Sequence, residues 1–146
     1  MQPKELVQAW FEQVWNQGNT AYIDQHLADI CNFTGLAPGP ITCPEDFHAF
    51  HAQMTGIFDN IRIRVDDLIE QGDTVAGVAH VSATHRATGR PVQFDSHFFG
   101  LVQSDRILEA QNGTDFLSVL IQIGAMTPEG MEAGLTGGEK IGVGSA

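Results

Sequence analysis

Asp115 stands where the alternating stretch "RILEAQN", Arg106 to Asn112, gives way after Gly113 and Thr114 to the apolar run "FLSVLIQIG". A carboxylate at such a join has two readings. As a helix N-cap it accepts hydrogen bonds from free amides and is favoured by the helix dipole, which lowers its pKa. Held instead in an apolar pocket near Phe116, Phe99 or Met54, its charged form is disfavoured and its pKa rises. A carboxyl tuned that way takes a proton from carbon and returns one to a developing alkoxide.

The other candidates are imidazoles and amides. His97 lies among Phe94, Phe98 and Phe99, either as a core residue with one satisfied nitrogen or as a proton shuttle. His80 and His51 are candidates to line a pocket, since ligand sites hold a few polar groups among apolar ones. Strand alternation puts His80 with Val78, Ser82 and Thr84, and Gln93, Asp95, His97 and Phe99 on one face of the next segment. Glu109, Gln111, Gly113 and Asp115 point one way in the last segment; Leu108, Ala110 and Asn112 point the other. No metal is expected: His48 and His51 lack the His-Glu-x-x-His separation, and Cys31 and Cys43 are isolated. There is no Gly-x-Ser-x-Gly elbow and no Gly-rich phosphate loop.

The elements that must position these groups follow from periodicity. Leu6, Val7, Trp10, Phe11, Val14 and Trp15 recur at one-face helical spacing, predicting a helix from about Pro3 to Trp15 that Gly18 stops. Asn19 or Thr20 caps a short second helix through Ala21, Ile23 and Leu27. "DICNFTGLAPGPITCP", Asp29 to Pro44, reads mostly as loop. Thr42 and Glu45 have capping-box spacing ahead of a third helix, whose stripe is Phe47, Phe50, His51, Met54, Ile57 and Phe58. After Asn60 the period becomes two: Ile61–Val65, Val75–His85, Pro91–Val102 and Arg106–Asn112 form an antiparallel meander of strands. Gly77 and Gly100 mark bends in it. The last helix, Asp115 to about Ile123, is apolar on nearly every side and is expected to be buried.

These elements give an α+β fold, helices on one face of a bent sheet with a pocket between them. One domain spans residues 1–126, followed by a Gly-rich tail, residues 127–146, that is mobile or docked on a partner subunit. The formal charge of −11 over 146 residues argues against nucleic acid and anionic membranes as partners, and no run reaches transmembrane length. The N-terminus enters an amphipathic pattern without the layout of a secretory signal. With two isolated thiols expected to be buried and reduced, a cytoplasmic home follows. A neutral small molecule or another protein is the partner this composition favours.

The ordered set "VQAWFEQVWNQGN", "FDNIRIRVDDLIEQGDTVAGVAHVSATH", "TGRPV" and "RILEAQNGTDFLSVLIQIG" resembles the SnoaL-like polyketide cyclases of the nuclear-transport-factor-two-like superfamily, from about residue 5 to residue 126. The resemblance implies a cone-shaped, strongly curved antiparallel sheet packed on N-terminal helices, with a short C-terminal helix, enclosing a deep apolar pocket, usually in a homodimer. It implies intramolecular aldol ring closure without metal or organic cofactor, with Asp115 as acid-base group and His97 assisting. Around them, Gln111, Asn112, His80, His51, Phe50, Met54 and Phe99 are the expected substrate contacts. One departure stands out: the family commonly reads E-x-W-N before the Asp, and this chain reads Glu109-Ala110-Gln111-Asn112. An amide in place of an indole removes an apolar wall and adds a donor and an acceptor. The function expected is a cofactor-independent cyclase or isomerase acting on a carbonyl-rich apolar molecule. A hydrolase or dehydratase on the same scaffold, and a noncatalytic small-molecule binder, are the alternatives.

Overall fold

The structure, a computed structural model, describes residues 1–138 and 140–142. Helix α1, Pro3–Trp10, begins on a proline whose missing N–H costs nothing in a first turn, and buries Leu6, Val7 and Trp10. The predicted single helix to Trp15 does not continue in α form. Residues Phe11–Asn16 widen into a π-helical turn, seen in the bond from the Gln17 N–H to the Glu12 carbonyl at 2.9 Å. Phe11 and Trp15, four residues apart, share one wall of the interior, as they would on an α-helix. The wider turn delivers Asn16 to the neighbouring strand. The Asn16 amide accepts from the Ile63 N–H at 2.7 Å and donates to the Ile63 carbonyl at 2.9 Å, taking the place of a strand partner.

After α2, Ala21–His26, the chain enters strand β1, Leu27–Thr34. This corrects the expectation of loop from Asp29 onward. The signal was present as alternation, since Leu27, Cys31 and Phe33 are buried and the residues after Cys31 and Phe33 are exposed. The Cys31 N–H donates to the Thr42 carbonyl, and Phe33 and Ile41 exchange two bonds of 2.9 Å. Burial pushes the Cys31 thiol up to about 11, so it stays protonated. Helix α3, Pro44–Ile57, follows. Its entry differs from the expected capping box: Thr42 donates through N–H and Oγ1 to Asp46 Oδ2, at 3.0 and 3.2 Å, and Glu45 takes no part. Those bonds hold the exposed Asp46 carboxyl below its ordinary pKa.

Strands β2, Phe58–Gln71, β3, Thr74–His85, β4, Pro91–Gln103, and β5, Arg106–Thr114, form the antiparallel meander. The sheet has five strands in the order β1-β5-β4-β3-β2, with β1 parallel to β5, so the expected four-strand meander gains a parallel edge strand. Curvature comes from β2. Its register against β3 slips between Asp59 and Arg62 and again between Asp66 and Ile69. At each slip a short polar residue, Asn60 at φ 53° and Asp67 at φ 55°, sits in the left-handed region that Asn and Asp tolerate best. Gly77 and Gly100, expected at bends, keep β3 and β4 in unbroken register with each other, whereas the β4–β5 register slips beside Gly100, between Leu101 and Val102.

The concave face carries Val75, Ala79, Phe98 and Val102, buried in one cluster with residues of α1, the π turn and α3, and Ala83 and Val92, buried in a second cluster with Phe58 and Val119. Phe47 is the keystone, its ring centroid 5.1 Å from Trp10 and 5.7 Å from both Phe33 and Phe50 in edge-on geometry. Helix α4, Phe116–Gln122, closes the wide end. Only Val119 of α4 is fully buried, while Leu117 and Leu120 are exposed, so this helix is a cover and not the buried core element its composition suggested. Beyond the end of β5, the Gln122 side chain accepts from the Gln93 N–H at 2.9 Å and donates to its carbonyl at 2.7 Å. Within the expected tail, Pro128–Leu135 forms helix α5, capped by Thr127 on the Gly130 N–H, with no buried residue. Residues 139 and 143–146 of that tail lie outside the described residues. Among the described residues, no helix is long and apolar enough to cross a membrane.

Candidate functional site

Curvature without a filled centre leaves a cavity between the concave sheet and the helices. The space open to the centre of a water molecule is about 110 Å³, several times the roughly 10–15 Å³ one water needs. Trp10, Phe11 and Trp15 wall it from the N-terminal segment, Phe47, Phe50 and Met54 from α3, and Phe94, Phe98 and Phe116 from β4 and α4. No side chain in this lining is a carboxylate, imidazole, amine or thiol. The walls are built for an apolar guest.

Three small polar side chains interrupt them, all on the paired strands β4 and β5: Ser96, Thr114 and Asn112. Ser96 and Thr114 are register partners, with hydroxyl oxygens 2.7 Å apart. Asn112 Nδ2 donates to the Thr34 carbonyl at 3.0 Å, which ties β5 to the end of β1 and fixes the amide. The close approach there depends on Gly35, at φ +82°, whose backbone lies against the Asn112 carbonyl.

Asp115 falls on the other side of this wall. Its N–H donates to the Asp95 carbonyl at 3.0 Å, extending the β4–β5 pairing by one residue. Alternation therefore sends Thr114 inward and Asp115 outward. The exposed carboxylate accepts from the Ser118 N–H at 3.0 Å and is the N-cap of α4. The apolar pocket expected around Asp115 is thus absent from its surroundings: Phe116 faces the cavity, and Asp115 does not.

The other sequence-predicted residues divide among separate places. His80 shares an open polar groove with Asp115, Asp95, Arg62 and Arg64, and its Nδ1 sits 2.7 Å from Asp95 Oδ1. A carboxylate only accepts, so Nδ1 carries the proton. His97 lines a different shallow hollow with Phe99, Gln111 and Thr34, also on the convex face. The structure therefore does not bring Asp115 and His97 into one site. His51 is buried outside the cavity lining, its Nε2 3.1 Å from the Val14 carbonyl and its ring 4.7 Å from Trp15. Burial lowers its pKa, with a smaller push from His48, against the opposing Val14 bond. Of the expected contacts, Phe50, Met54 and Asn112 line the cavity. Ser96 and Thr114 were missed, although the same alternation places them with Phe94, Phe98 and Asn112.

The model of the SnoaL-like polyketide cyclases matches residues 5–123 of the chain. No curated protein is matched by the sequence. Among solved structures, wild-type IdmH from Streptomyces antibioticus is similar at 21% identity, covering 85% of this chain and 99% of its own, with a TM-score of 0.77. TsrD from Streptomyces laurentii is similar at 18% identity, with 84% and 94% covered and a TM-score of 0.74. A protein with a ketosteroid isomerase-like fold from Catenulispora acidiphila, solved in complex with trimethylamine, is similar at 20% identity, with 88% and 100% covered and a TM-score of 0.74. At these identities the likeness carries the fold.

Proposed function

Because the chain belongs to the SnoaL-like polyketide cyclase family, we propose that its cone binds a carbonyl-rich, largely apolar small molecule of polyketide type and promotes ring closure by holding it folded. The observation that supports this is the cavity itself, aromatic on most sides with Ser96, Thr114 and Asn112 as its polar points. Holding reacting carbons in contact removes much of the entropic part of a ring-closure barrier. A hydroxyl or amide aimed at a carbonyl oxygen stabilises the charge that gathers there.

Filling the cavity tests the binding half. Ala79 is 1% exposed and its methyl forms part of the wall. Ala79→Leu occupies guest space, and the expected result is at least a tenfold loss of affinity for an apolar ring compound, read by tryptophan fluorescence, with the thermal midpoint held or raised. Unchanged affinity would place the ligand elsewhere.

The proton chemistry is tested at Asp115. Asn caps helices about as well as Asp, whereas Ala costs about 1 kcal/mol. Asp115→Asn therefore keeps α4 in place while removing the acid-base group. With a linear poly-β-ketone as substrate, the templating reading expects ring closure to stay within about threefold of wild type. A hundredfold fall at unchanged affinity would assign the proton step to Asp115 and require the first turn of α4 to open. A noncatalytic binder is the second reading, favoured by the absence of an ionisable side chain in the cavity lining; it expects the guest to be recovered unchanged.

The proposal includes a homodimer formed through the convex face. Ile69, Ala76, Phe99 and Gln111 are register partners across four strands there, with Ile69 68% and Phe99 55% exposed. Phe99→Asp is expected to shift the sedimentation coefficient from dimer to monomer; a wild-type protein already sedimenting as a monomer would exclude this interface.

A further inference from the structure

We infer that the guest is a conjugated ring ketone, or the phenol that is its tautomer, and that the Ser96–Thr114 hydroxyl pair grips its oxygen. The inference rests on the reading of the cone as the ligand site and goes further by naming what is recognised and by which atoms. When two hydroxyls share one hydrogen bond, one proton lies between the oxygens. The accepting hydroxyl keeps its own O–H to give away, and lone pairs remain on both oxygens. The 2.7 Å contact between Ser96 Oγ and Thr114 Oγ1 is of this kind, and either atom can be its donor. Rotating the two hydroxyls turns the pair from a donor toward a carbonyl into an acceptor from a phenol, with no change of charge. A cavity lined by no ionisable group has few other ways to hold both forms.

The surroundings select for flat conjugated rings. Phe94 and Phe98 stand on the same face of β4, two residues to either side of Ser96, and Phe116 lies 6.3 Å from Phe94 at a 35° tilt. A flat ring lying against this aromatic wall presents its edge, where the oxygen substituents of a ring ketone lie, to the hydroxyl pair. Asn112 stands two residues before Thr114 on the same face of β5, about 7 Å away along the strand. One Nδ2 hydrogen is committed to the Thr34 carbonyl. Its Oδ1 has no hydrogen-bond donor among the described residues, so a second oxygen function on the guest, carried as a hydroxyl, has an acceptor there.

The test compares 2-naphthol with naphthalene, equal in ring shape and different by one hydroxyl. Both tryptophans of the chain, Trp10 and Trp15, line the cavity, so their fluorescence reports occupancy directly. The double variant Ser96→Ala with Thr114→Val removes both hydroxyls at nearly constant shape, the combination least costly to folding because no polar atom of the pair is left unpaired. Thr114→Ser, which retains the hydroxyl, controls for packing. The expected result is that naphthol affinity falls roughly three- to tenfold in the double variant relative to naphthalene affinity. Thr114→Ser is expected to keep the wild-type ratio. Parallel changes for both compounds, or none, would overturn the grip assigned to the pair while leaving the cone a binding site. Failure of wild-type protein to bind naphthalene at all would overturn the cone as a ligand site, and this inference with it.

Discussion

Phe47→Ala is expected to lower the unfolding free energy by about 3–5 kcal/mol, the range for removing a large aromatic from a packed core. Phe47 is 1% exposed and touches rings from α1, β1 and its own helix, so its loss frees the faces of Trp10, Phe33 and Phe50 together. Phe47 also lines the cavity, so the space it vacates opens onto an existing void. The midpoint should fall by roughly 10 °C, given about 2–4 °C per kcal/mol for chains of this size. The same geometry makes a second outcome specific. The new hole joins the existing cavity, so saturating naphthalene should raise the midpoint of the variant more than that of wild type, by mass action on the folded form. Equal shifts in both proteins would mean that the two spaces are not continuous.

The second large effect is expected at Gly35. A Cβ built there lies 1.7 Å from the Asn112 carbonyl oxygen and 2.7 Å from its carbon, and the backbone sits at φ +82°. Neither fault can be relieved by a rotamer, since the obstacle is main chain. Gly35→Ala should therefore cost at least about 3 kcal/mol, in the range reserved for severe steric and backbone faults. Gly89→Ala separates the two contributions. Gly89 has φ +70° and open space around it, so it pays only the left-handed conformation, about 1–2 kcal/mol. Urea midpoints with unchanged slopes are the measurement. If Gly35→Ala proved no worse than Gly89→Ala, the approach of β1 to Asn112 would be looser than described. In a folded remnant the affinity for ring compounds should also drop, because Asn112 is displaced.

The contrast between what the sequence disclosed and what it hid is clearest at Asp115. Alternation assigned Glu109, Gln111, Gly113 and Asp115 to one face and Leu108, Ala110 and Asn112 to the other. The structure agrees from Ala110 onward, but a register slip against β4 at Leu108 turns Ile107 inward in its place. What periodicity does not say is which face is concave. Polar candidates drew the pocket toward themselves, whereas the curved sheet turns its apolar row inward and leaves the ionisable row outside. The direction of bending was encoded in Asn60 and Asp67, residues that read as ordinary polar positions until the bulges they occupy are seen. Strand β1 was obscured for a different reason. Gly35, Pro38, Gly39 and Pro40 crowd its end, and its partner is β5, far along the chain, so no local turn announces it. The π turn was likewise invisible, because a stripe of apolar residues looks continuous whether the backbone winds tightly or widely.

The side-chain amides of Asn16 and Gln122 each occupy both hydrogen-bonding groups of a strand residue, Ile63 on the outer edge of β2 and Gln93 on β4 past the end of β5. A rim position whose N–H and carbonyl are both taken offers no template to an incoming strand, the pairing by which cross-β growth begins. Pairing at these two places is therefore closed to fibril seeding even when many copies crowd together. The deterrent consists of neutral groups and does not weaken with ionic strength, unlike the repulsion supplied by the acidic surface.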